Sequence, residues 1–264
     1  MSTIQANAIL DASGGSTTTI NGVTPNTDSI RGRNLIINGA MQVAQRGTSV
    51  TGLESGQGRT CDRIGTYVNS GTWTVTQETD SPDGFSNSFK ILATAVETAA
   101  AGDQIQMFYY IEGQDVQGVA KGTSSAKTMS LSFWCKSNKT GTHAVAVRDQ
   151  DNLRLCTKYF TINSTNTWEY KTILIPADTT GTFDNDNGGS LLLEVWMRGG
   201  TTFTSGTPTG AWEAFDNSIR LGDGHTATVG TAVNDYFQIT GLKLEVGSVA
   251  TEFDHRSYGE ELAL

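Results

Sequence analysis

Basic clusters and long apolar runs are both missing from this chain of 264 residues. Against 27 Asp and Glu residues stand 18 Lys and Arg residues, which gives a formal net charge of −9. Because sequence-independent binding of nucleic acid needs clustered positive charge against the phosphates, this charge balance argues against such binding. No stretch reaches the roughly 18 apolar residues of a membrane span, and "MSTIQANAILDASGG" lacks the basic and apolar regions of a secretory signal. We therefore expect neither a nucleic-acid partner nor membrane insertion.

Cysteine, histidine and catalytic motifs are scarce as well. Cys61, Cys135 and Cys156 are widely spaced with no C-x-x-C, which argues against a disulfide framework or a zinc site and favours reduced thiols. The three histidines have no second His or Cys at metal-ligand spacing. A G-x-S-x-G turn, an H-E-x-x-H helix and a phosphate-binding P-loop are absent. We predict no cofactor and no metal, and we assign no catalytic residue.

Two acidic features keep other functions open. Some glycosidases need only two carboxylates about 5 to 10 Å apart, and the sequence alone cannot pair candidates such as Glu112 and Glu194. A glycan depolymerase is therefore an alternative. The stretch "FDNDNGGS" places Asp184 and Asp186 in one loop, where close oxygen ligands can hold Ca²⁺. Because the full calcium-loop spacing is missing, a solvated turn is the favoured interpretation, and calcium binding stays open.

The chain does contain a clear strand pattern. Thr and Gly are abundant, and only 37% of residues are hydrophobic, as in all-β proteins with long loops. From "TWTVTQE" to "YFQITGLKLEVG", apolar side chains recur at every second position, which is typical of strands with one buried side. The phase slips at Thr240-Gly241, which predicts a β-bulge. About ten strands and no long amphipathic helix predict an all-β protein with a jelly-roll-like β-sandwich.

Residues 1–33 differ from the rest of the chain. Their scattered apolar side chains are too few to form a core against the entropy of the chain. The dense part begins with "NLIIN", which we predict to be the first strand, followed by a turn at Asn38-Gly39. We therefore predict an extended N-terminal arm for attachment or oligomerisation over residues 1–33 and a β-sandwich domain over residues 34–264. A disordered tail is the alternative for the first segment.

One face of the predicted strands carries aromatic and polar side chains. Sugars bind such surfaces by stacking their C–H faces on aromatic rings and by hydrogen bonds to polar groups. If the strands are neighbours, these side chains form one solvent-facing, glycan-binding surface; burial beneath a second layer or at a subunit interface is the alternative. The candidate residues are Gln106, Tyr110, Trp134, Glu194, Trp196 and Arg198.

Several motifs carry a resemblance. "RNLIINGAMQVAQRGTS" and "TCDRIGTY", with "LEVGSVATEF" and "RSYGEEL" near the end, resemble a module common in bacteriophage tail-fibre and other virion proteins. That module opens with N-L-[LI]-I-N-G and continues to Q-R-G and D-R-W; here Ile64 stands where Trp is usual. The resemblance covers roughly residues 33–264. "MSTIQANAILDASGGSTTTING" resembles the N-termini of marine and cyanobacterial phage structural proteins.

The resemblance implies a fold and a function. The module is expected to be a β-sandwich like carbohydrate-binding modules, with no binding residue fixed by a motif. It implies a non-enzymatic tail fibre or receptor-binding protein, assembled in the host cytoplasm and located in the virion. We expect this chain to form a homotrimer. The other expected partners are host cell-surface glycan and, through residues 1–33, tail adaptor, baseplate or capsid proteins. A capsid decoration or head fibre protein is the alternative.

Overall fold

The structure is a computed structural model that describes residues 34–264, so the predicted arm over residues 1–33 lies outside the described residues. The described part contains thirteen strands, three short helices and two 3₁₀ turns. The strands are β1 (Ser49–Leu53), β2 (Gly56–Gly58), β3 (Gly65–Val68), β4 (Thr72–Glu78), β5 (Ser88–Ala95), β6 (Gln104–Glu112), β7 (Met129–Ser137), β8 (Gly141–Asp149), β9 (Arg154–Ile162), β10 (Glu169–Ile175), β11 (Gly189–Gly199), β12 (Glu213–Ala214) and β13 (Tyr236–Val246). The helices are α1 (Thr201–Thr204), α2 (Ser218–Leu221) and α3 (Tyr258–Ala263), and the 3₁₀ turns are Gly113–Asp115 and Gln117–Val119.

The strands pair antiparallel into two sheets. One has six strands in the order β1-β4-β5-β13-β7-β10, and the other has seven in the order β12-β9-β8-β11-β6-β3-β2. Hairpins such as β8–β9 stay within one sheet, whereas the connections from β6 to β7 and from β10 to β11 cross to the other sheet, as in a jelly roll. The predicted all-β, jelly-roll-like sandwich is confirmed. The count exceeds the expected ten partly because very short strands, such as β2 and β12, escape a period-two pattern.

The core lies between the two sheets. In β11, the four side chains predicted to share a buried face, Leu191, Leu193, Val195 and Met197, are fully buried. The three cysteines are also buried, and all three are free thiols. Burial raises the pKa of each of these thiols to about 12, since it disfavours the charged thiolate. They therefore behave as small core residues.

The β-bulge in β13 is confirmed. The register of β13 against β7 shifts between Thr240 and Lys243, and Gly241 has a φ of 62°. Only glycine adopts this left-handed conformation at low cost. A Cβ atom on Gly241 would also stand 2.7 Å from Cζ of Phe85. The bulge returns Leu244 to the core face after the phase slip.

The segment "NLIIN" is not a strand, which corrects the prediction. Asn34 occupies the hydrogen-bonding sites that a regular strand partner would use: its Oδ1 accepts from the backbone N–H of Leu244 at 3.0 Å, and its Nδ2 donates to the carbonyl of Leu242 at 3.0 Å. The chain then enters the predicted turn, where Asn38 has a left-handed φ of 59°. A Cβ atom on Gly39 would lie 2.1 Å from the Leu242 carbonyl oxygen, so the close approach to β13 requires glycine.

The beginning and the end of the described chain meet at this turn. The Asn38 backbone N–H donates to Oε2 of Glu261 at 2.7 Å, and the Asn38 side chain donates to the Asp62 carbonyl at 3.0 Å. Glu261 is buried in α3, which begins with a capping box at Ser257. The motifs "NLIING", "CDR" and "RSYGEEL" therefore form one hydrogen-bonded cluster. Hydrogen bonding and burial within this cluster explain the Asn, Asp and Glu residues of the three motifs.

Candidate functional site

The outer face of the seven-stranded sheet has two halves. Over β8, β9 and β11, the chain from residue 200 to 223, which carries α1 and α2, packs on the outward side chains; we call this the covered half. On the other side of β11, strands β6, β3 and β2 present a surface cleft; we call this the open half. The covered half contains a second apolar cluster of Ala144, Ala146, Leu155, Trp196, Phe203, Ile219 and Leu221.

Trp196 belongs to the covered half, so the prediction that it faces solvent is wrong. Its side chain is fully buried. The Phe203 ring, from α1, lies 5.2 Å away between centroids, and the Arg220 guanidinium, from α2, lies 4.9 Å above the indole. The alternation pattern placed Trp196 on the correct face of β11. A second layer of chain buries that face, which was the alternative left open.

Glu194 is also buried, and its predicted exposure is wrong for the same reason. Its carboxylate accepts a bond from Nη2 of Arg220 at 2.6 Å and from Nη1 of Arg148 at 3.2 Å. The Arg148 guanidinium in turn lies 4.3 Å above the ring of Phe215. A buried carboxylate is tolerated when it is paired and hydrogen-bonded in this way. Glu194 therefore holds the covering segment on the sheet.

Arg198 is partly buried at the end of β11 and serves as a bridge between loops. Its Nη1 donates to the Gly230 carbonyl at 2.7 Å, and its Nη2 donates to the Glu97 carbonyl at 2.8 Å. These bonds satisfy backbone carbonyls from two different loops. Arg198 is therefore held by two hydrogen bonds within the protein and does not stand free at the surface.

The other three candidates are divided between the sheets. Trp134 lies in β7 of the six-stranded sheet, half-buried beside Tyr170 at a ring separation of 5.3 Å. Gln106 is buried in β6 between its cross-strand neighbours Tyr67 and Trp196. Tyr110, also in β6, is 46% exposed. The predicted single surface is not formed, because β7 pairs in the opposite sheet; of the six candidates, only Tyr110 remains substantially open to solvent.

The open half holds a cleft of about 410 Å³ beside Tyr110. The lining comes from the connection between β2 and β3, the end of β6, the turn that leads into β9, and the start of β11 with the turn before it. Its residues combine one aromatic ring with charged and amide groups. They are Arg59, Arg63, Tyr110, Glu112, Gln150, Asn187 and Gly189.

Glycines position the two aromatic rings of this half. Gly65 in β3 lies directly opposite Phe108 in β6, and a Cβ atom on Gly65 would stand 2.3 Å from Cζ of the Phe108 ring. The ring therefore occupies the space above the glycine. Gly189 does the same for Tyr110, whose Cδ1 would be 2.8 Å from a Cβ. Phe108 and Tyr110 meet edge to face with centroids 5.7 Å apart, an arrangement that stabilises aromatic pairs.

Polar groups surround the Tyr110 ring. Arg63 forms an ion pair with Glu112 at 3.4 Å, and the other Glu112 oxygen accepts from Nε2 of Gln114 at 2.9 Å. Nε2 of Gln150 is buried and has no hydrogen-bond partner within the described residues. The cleft can therefore combine stacking on one ring with several hydrogen bonds.

The carboxylate pair considered from the sequence is not brought together. Glu112 lies in the cleft, whereas Glu194 is sealed in its ion pairs beneath the covering segment. Among the residues that line the cleft, Glu112 is the one acidic side chain. The two-carboxylate arrangement of most glycosidases needs a second carboxyl group within about 10 Å, on the other side of the scissile bond.

The loop that carries Asp184 and Asp186 is hydrogen-bonded within the protein. Oδ1 of Asp186 accepts the backbone N–H of Gly188 at 2.8 Å, and the backbone N–H of Asp184 donates to Asp151 at 2.9 Å. Over residues 34–264, no group of three or more His, Cys, Asp or Glu side chains is arranged to hold a metal ion. Within the same range, no helix is long and apolar enough to cross a bilayer.

Sequence reasoning missed most of the cleft. Alternation along β6 places Phe108 and Glu112 on the same face as Tyr110, and this much was predicted from the sequence. Arg59 and Gln150 come from short edge structure and from a hairpin turn, where no periodic pattern exists. Their placement depends on the order of strands in the sheet.

The comparisons with known proteins show a distant likeness of fold. No protein-family model and no curated protein matches the chain. The enzymatically active domain of bacteriophage CBA120 tailspike protein 4 matches 75% of the chain at 14% identity and a TM-score of 0.39, and the chain spans 21% of that structure. A family 4 carbohydrate-binding module matches 80% of the chain and 98% of its own length at 12% identity and a TM-score of 0.38. A family 61 module in complex with β-1,4-galactotriose matches 82% of the chain and 100% of its own length at 10% identity and a TM-score of 0.37. At these values no conclusion about function follows from them.

Proposed function

We propose that this chain is a non-enzymatic virion protein that binds host cell-surface glycan in the cleft beside Tyr110. The observation that supports this proposal is the half-exposed Tyr110 ring, fixed by Phe108 and Gly189 within a ring of hydrogen-bonding side chains. A sugar offers an apolar C–H face to such a ring and hydroxyl groups to the amides and charges around it. The cleft volume of about 410 Å³ suits a short oligosaccharide.

The virion part of the proposal rests on the sequence motifs. The phage-like motifs "NLIING", "CDR" and "RSYGEEL" form one structural cluster, and the last residue of "CDR", Arg63, also lines the cleft. The residues that carry the resemblance therefore form the frame of the domain and contribute one side chain to the cleft. We propose a tail fibre or receptor-binding protein that forms a homotrimer and attaches to other virion proteins through residues 1–33. Weak binding at each site then gains strength by avidity across identical subunits.

The binding proposal is tested with an array of bacterial surface polysaccharides and oligosaccharides. We expect the wild-type chain to bind a subset of them and Tyr110→Ala to weaken this binding by about tenfold or more, through loss of the stacking surface. Tyr170→Ala is the matched control, since this tyrosine is 44% exposed on a strand of the other sheet. Circular dichroism verifies that both variants fold.

Two results would contradict the binding proposal. One is the absence of binding to any glycan by the wild-type chain. The other is loss of binding in Tyr170→Ala while Tyr110→Ala binds normally, which would move the site to the six-stranded sheet. The virion proposal is tested separately by labelling intact particles with an antibody against the sandwich. Label on the tail supports the fibre, and label over the capsid contradicts it.

A further inference from the structure

The cleft contains a guanidinium group that has no acidic partner among residues 34–264. Arg59 forms no ion pair within residues 34–264, whereas Arg63 pairs with Glu112 and Arg154 pairs with Asp178. The side-chain contacts of Arg59 are a bond from Nη2 to Oε1 of Gln57 at 3.2 Å and its position 5.2 Å above the Phe108 ring. An uncommitted arginine in a binding cleft is notable in a chain with a net charge of −9.

The Phe108 ring lies beneath the guanidinium of Arg59, whose N–H groups are mostly free. Gly65 leaves the space that this ring occupies, and the guanidinium carbon lies 5.2 Å from the ring centroid. A guanidinium on an aromatic face keeps its N–H groups free at the edge of the plane, and only one of its five N–H groups is used here. Such a fork matches a carboxylate or sulfate through two parallel hydrogen bonds.

Arg59 and Tyr110 line the same cleft, and each contacts Phe108 from its own side. A sugar ring stacked on Tyr110 can therefore direct a ring substituent towards Arg59. The nearby acidic group, Glu112, is neutralised by Arg63, so the cleft carries one positive charge in excess. The rest of the chain is acidic and repels anions at long range, so selection of an acidic sugar depends on this local charge. A guanidinium bonds an anionic oxygen group more strongly than a neutral hydroxyl.

We propose that the cleft selects acidic glycans, with Arg59 binding a carboxylate or sulfate on the sugar and Tyr110 stacking against the ring. This inference rests on the proposed function and adds the class of sugar. Arg59 is the specificity-determining residue, and its N–H groups form the bidentate contact. The shared chemistry is an anionic oxygen group on a pyranose ring, which uronic acids and sulfated sugars both provide.

The test uses matched polysaccharide pairs. Polygalacturonate is compared with its carboxyl-reduced form, and a sulfated galactan is compared with its desulfated form, by calorimetry on the full chain. We expect the wild type to bind the acidic member of at least one pair about tenfold more tightly or better, and which pair responds distinguishes carboxylate from sulfate. Arg59→Gln should abolish this preference, and Arg59→Lys should restore only part of it, because an ammonium lacks the planar fork.

Lys90→Gln is the control for a general effect of charge. Lys90 lies 5.0 Å above the Tyr236 ring in the six-stranded sheet and, like Arg59, forms no ion pair within residues 34–264. We expect Lys90→Gln to keep the full preference. Equal preference in wild type and Arg59→Gln would overturn the inference, as would tighter binding of the neutral members. If one of these results is found and Tyr110→Ala still weakens glycan binding, the inference fails and the proposed function stands; if no glycan binds, both fail.

Discussion

The covered and open halves of the seven-stranded sheet arise from the same kind of sequence and end in different environments. Trp196 on β11 and Tyr110 on β6 both point away from the core. The chain between β11 and β13 folds back over the first and leaves the second 46% exposed. Alternation therefore assigns a side chain to a face of a sheet, while a long connection elsewhere in the chain decides whether that face meets solvent.

The largest contrast is expected in stability. Trp196→Ala leaves a cavity beneath α1 and α2 and should lower the free energy of unfolding by about 3–5 kcal/mol. Tyr110→Ala, the corresponding truncation in the open half, should cost about 1 kcal/mol or less. Urea unfolding of both variants measures the difference. Similar losses of unfolding free energy in the two variants would show that the two halves are packed alike. The comparison between the halves would then have no basis.

A second substitution tests the packing of Phe108 against Gly65 in the open half. Gly65→Ala places a methyl group against the Phe108 ring and should cost about 1–3 kcal/mol through overpacking. Because Phe108 supports Arg59, the same change should weaken glycan binding. Gly102→Ala is the control, since a Cβ at Gly102 has no atom within 4 Å. Thermal unfolding and glycan titration are measured on both, and an unaltered Gly65→Ala protein would show that the ring is not held as described.

Acid should destabilise the folded domain through two histidines, His143 and His225. His143 in β8 is fully buried, and its Nδ1 bonds the Trp196 carbonyl at 3.1 Å. Burial lowers the His143 pKa to about 3, and burial likewise lowers the His225 pKa to about 4. Below about pH 6.5 the two histidines are protonated in the unfolded chain but stay neutral in the native chain. The free energy of unfolding is therefore fully maintained above that pH and falls below it by about 1.4 kcal/mol per pH unit for each histidine.

His143→Gln isolates one of these two contributions. Glutamine retains a donor for the Trp196 carbonyl and does not titrate. We expect urea midpoints of this variant to fall less steeply than those of the wild type between pH 6.5 and about pH 4. The difference in slope should correspond to one proton fewer taken up on unfolding. Parallel pH profiles for the two proteins would show that His143 is protonated in the folded chain.

The smallest effect is expected from the other sheet. Trp134→Ala should change glycan binding by no more than about twofold, because packed sheets lie roughly 10 Å apart and distant sites act independently. The same glycan titration as for Tyr110→Ala measures it. A large loss of binding would place the ligand on the face shared by Trp134 and Tyr170 and would reverse the comparison.

The sequence predicted the local features of this fold well. The period-two pattern of "SLLLEVWMRG" and the phase slip at Gly241 depend on neighbouring residues, so the buried face of β11 and the bulge in β13 could be inferred. "NLIIN" failed because a single side chain, Asn34, replaces a regular strand partner. That replacement depends on β13, which is about two hundred residues away, and no local pattern records it.

The candidate site was predicted only in part. Tyr110 was found because alternation exposes one side of β6. Trp134 was assigned to the same surface because the sequence does not reveal which strands are neighbours, and β7 pairs in the opposite sheet. Arg59 was missed because its role depends on Phe108, a contact between chain segments joined through three further strands. Strand order and the covering segment are long-range packing, which periodicity does not encode.

Mapping a bound glycan by NMR tests the central claim most directly. On titration with the tightest glycan from the array, we expect the backbone amides of Tyr110, Glu112 and Gly189 to shift, because they border the cleft. The indole N–H signals of the five tryptophans should stay unchanged, since none of them lines the cleft. Shifts of the Trp134 or Trp196 indole with unmoved amides at Tyr110 and Glu112 would contradict the account.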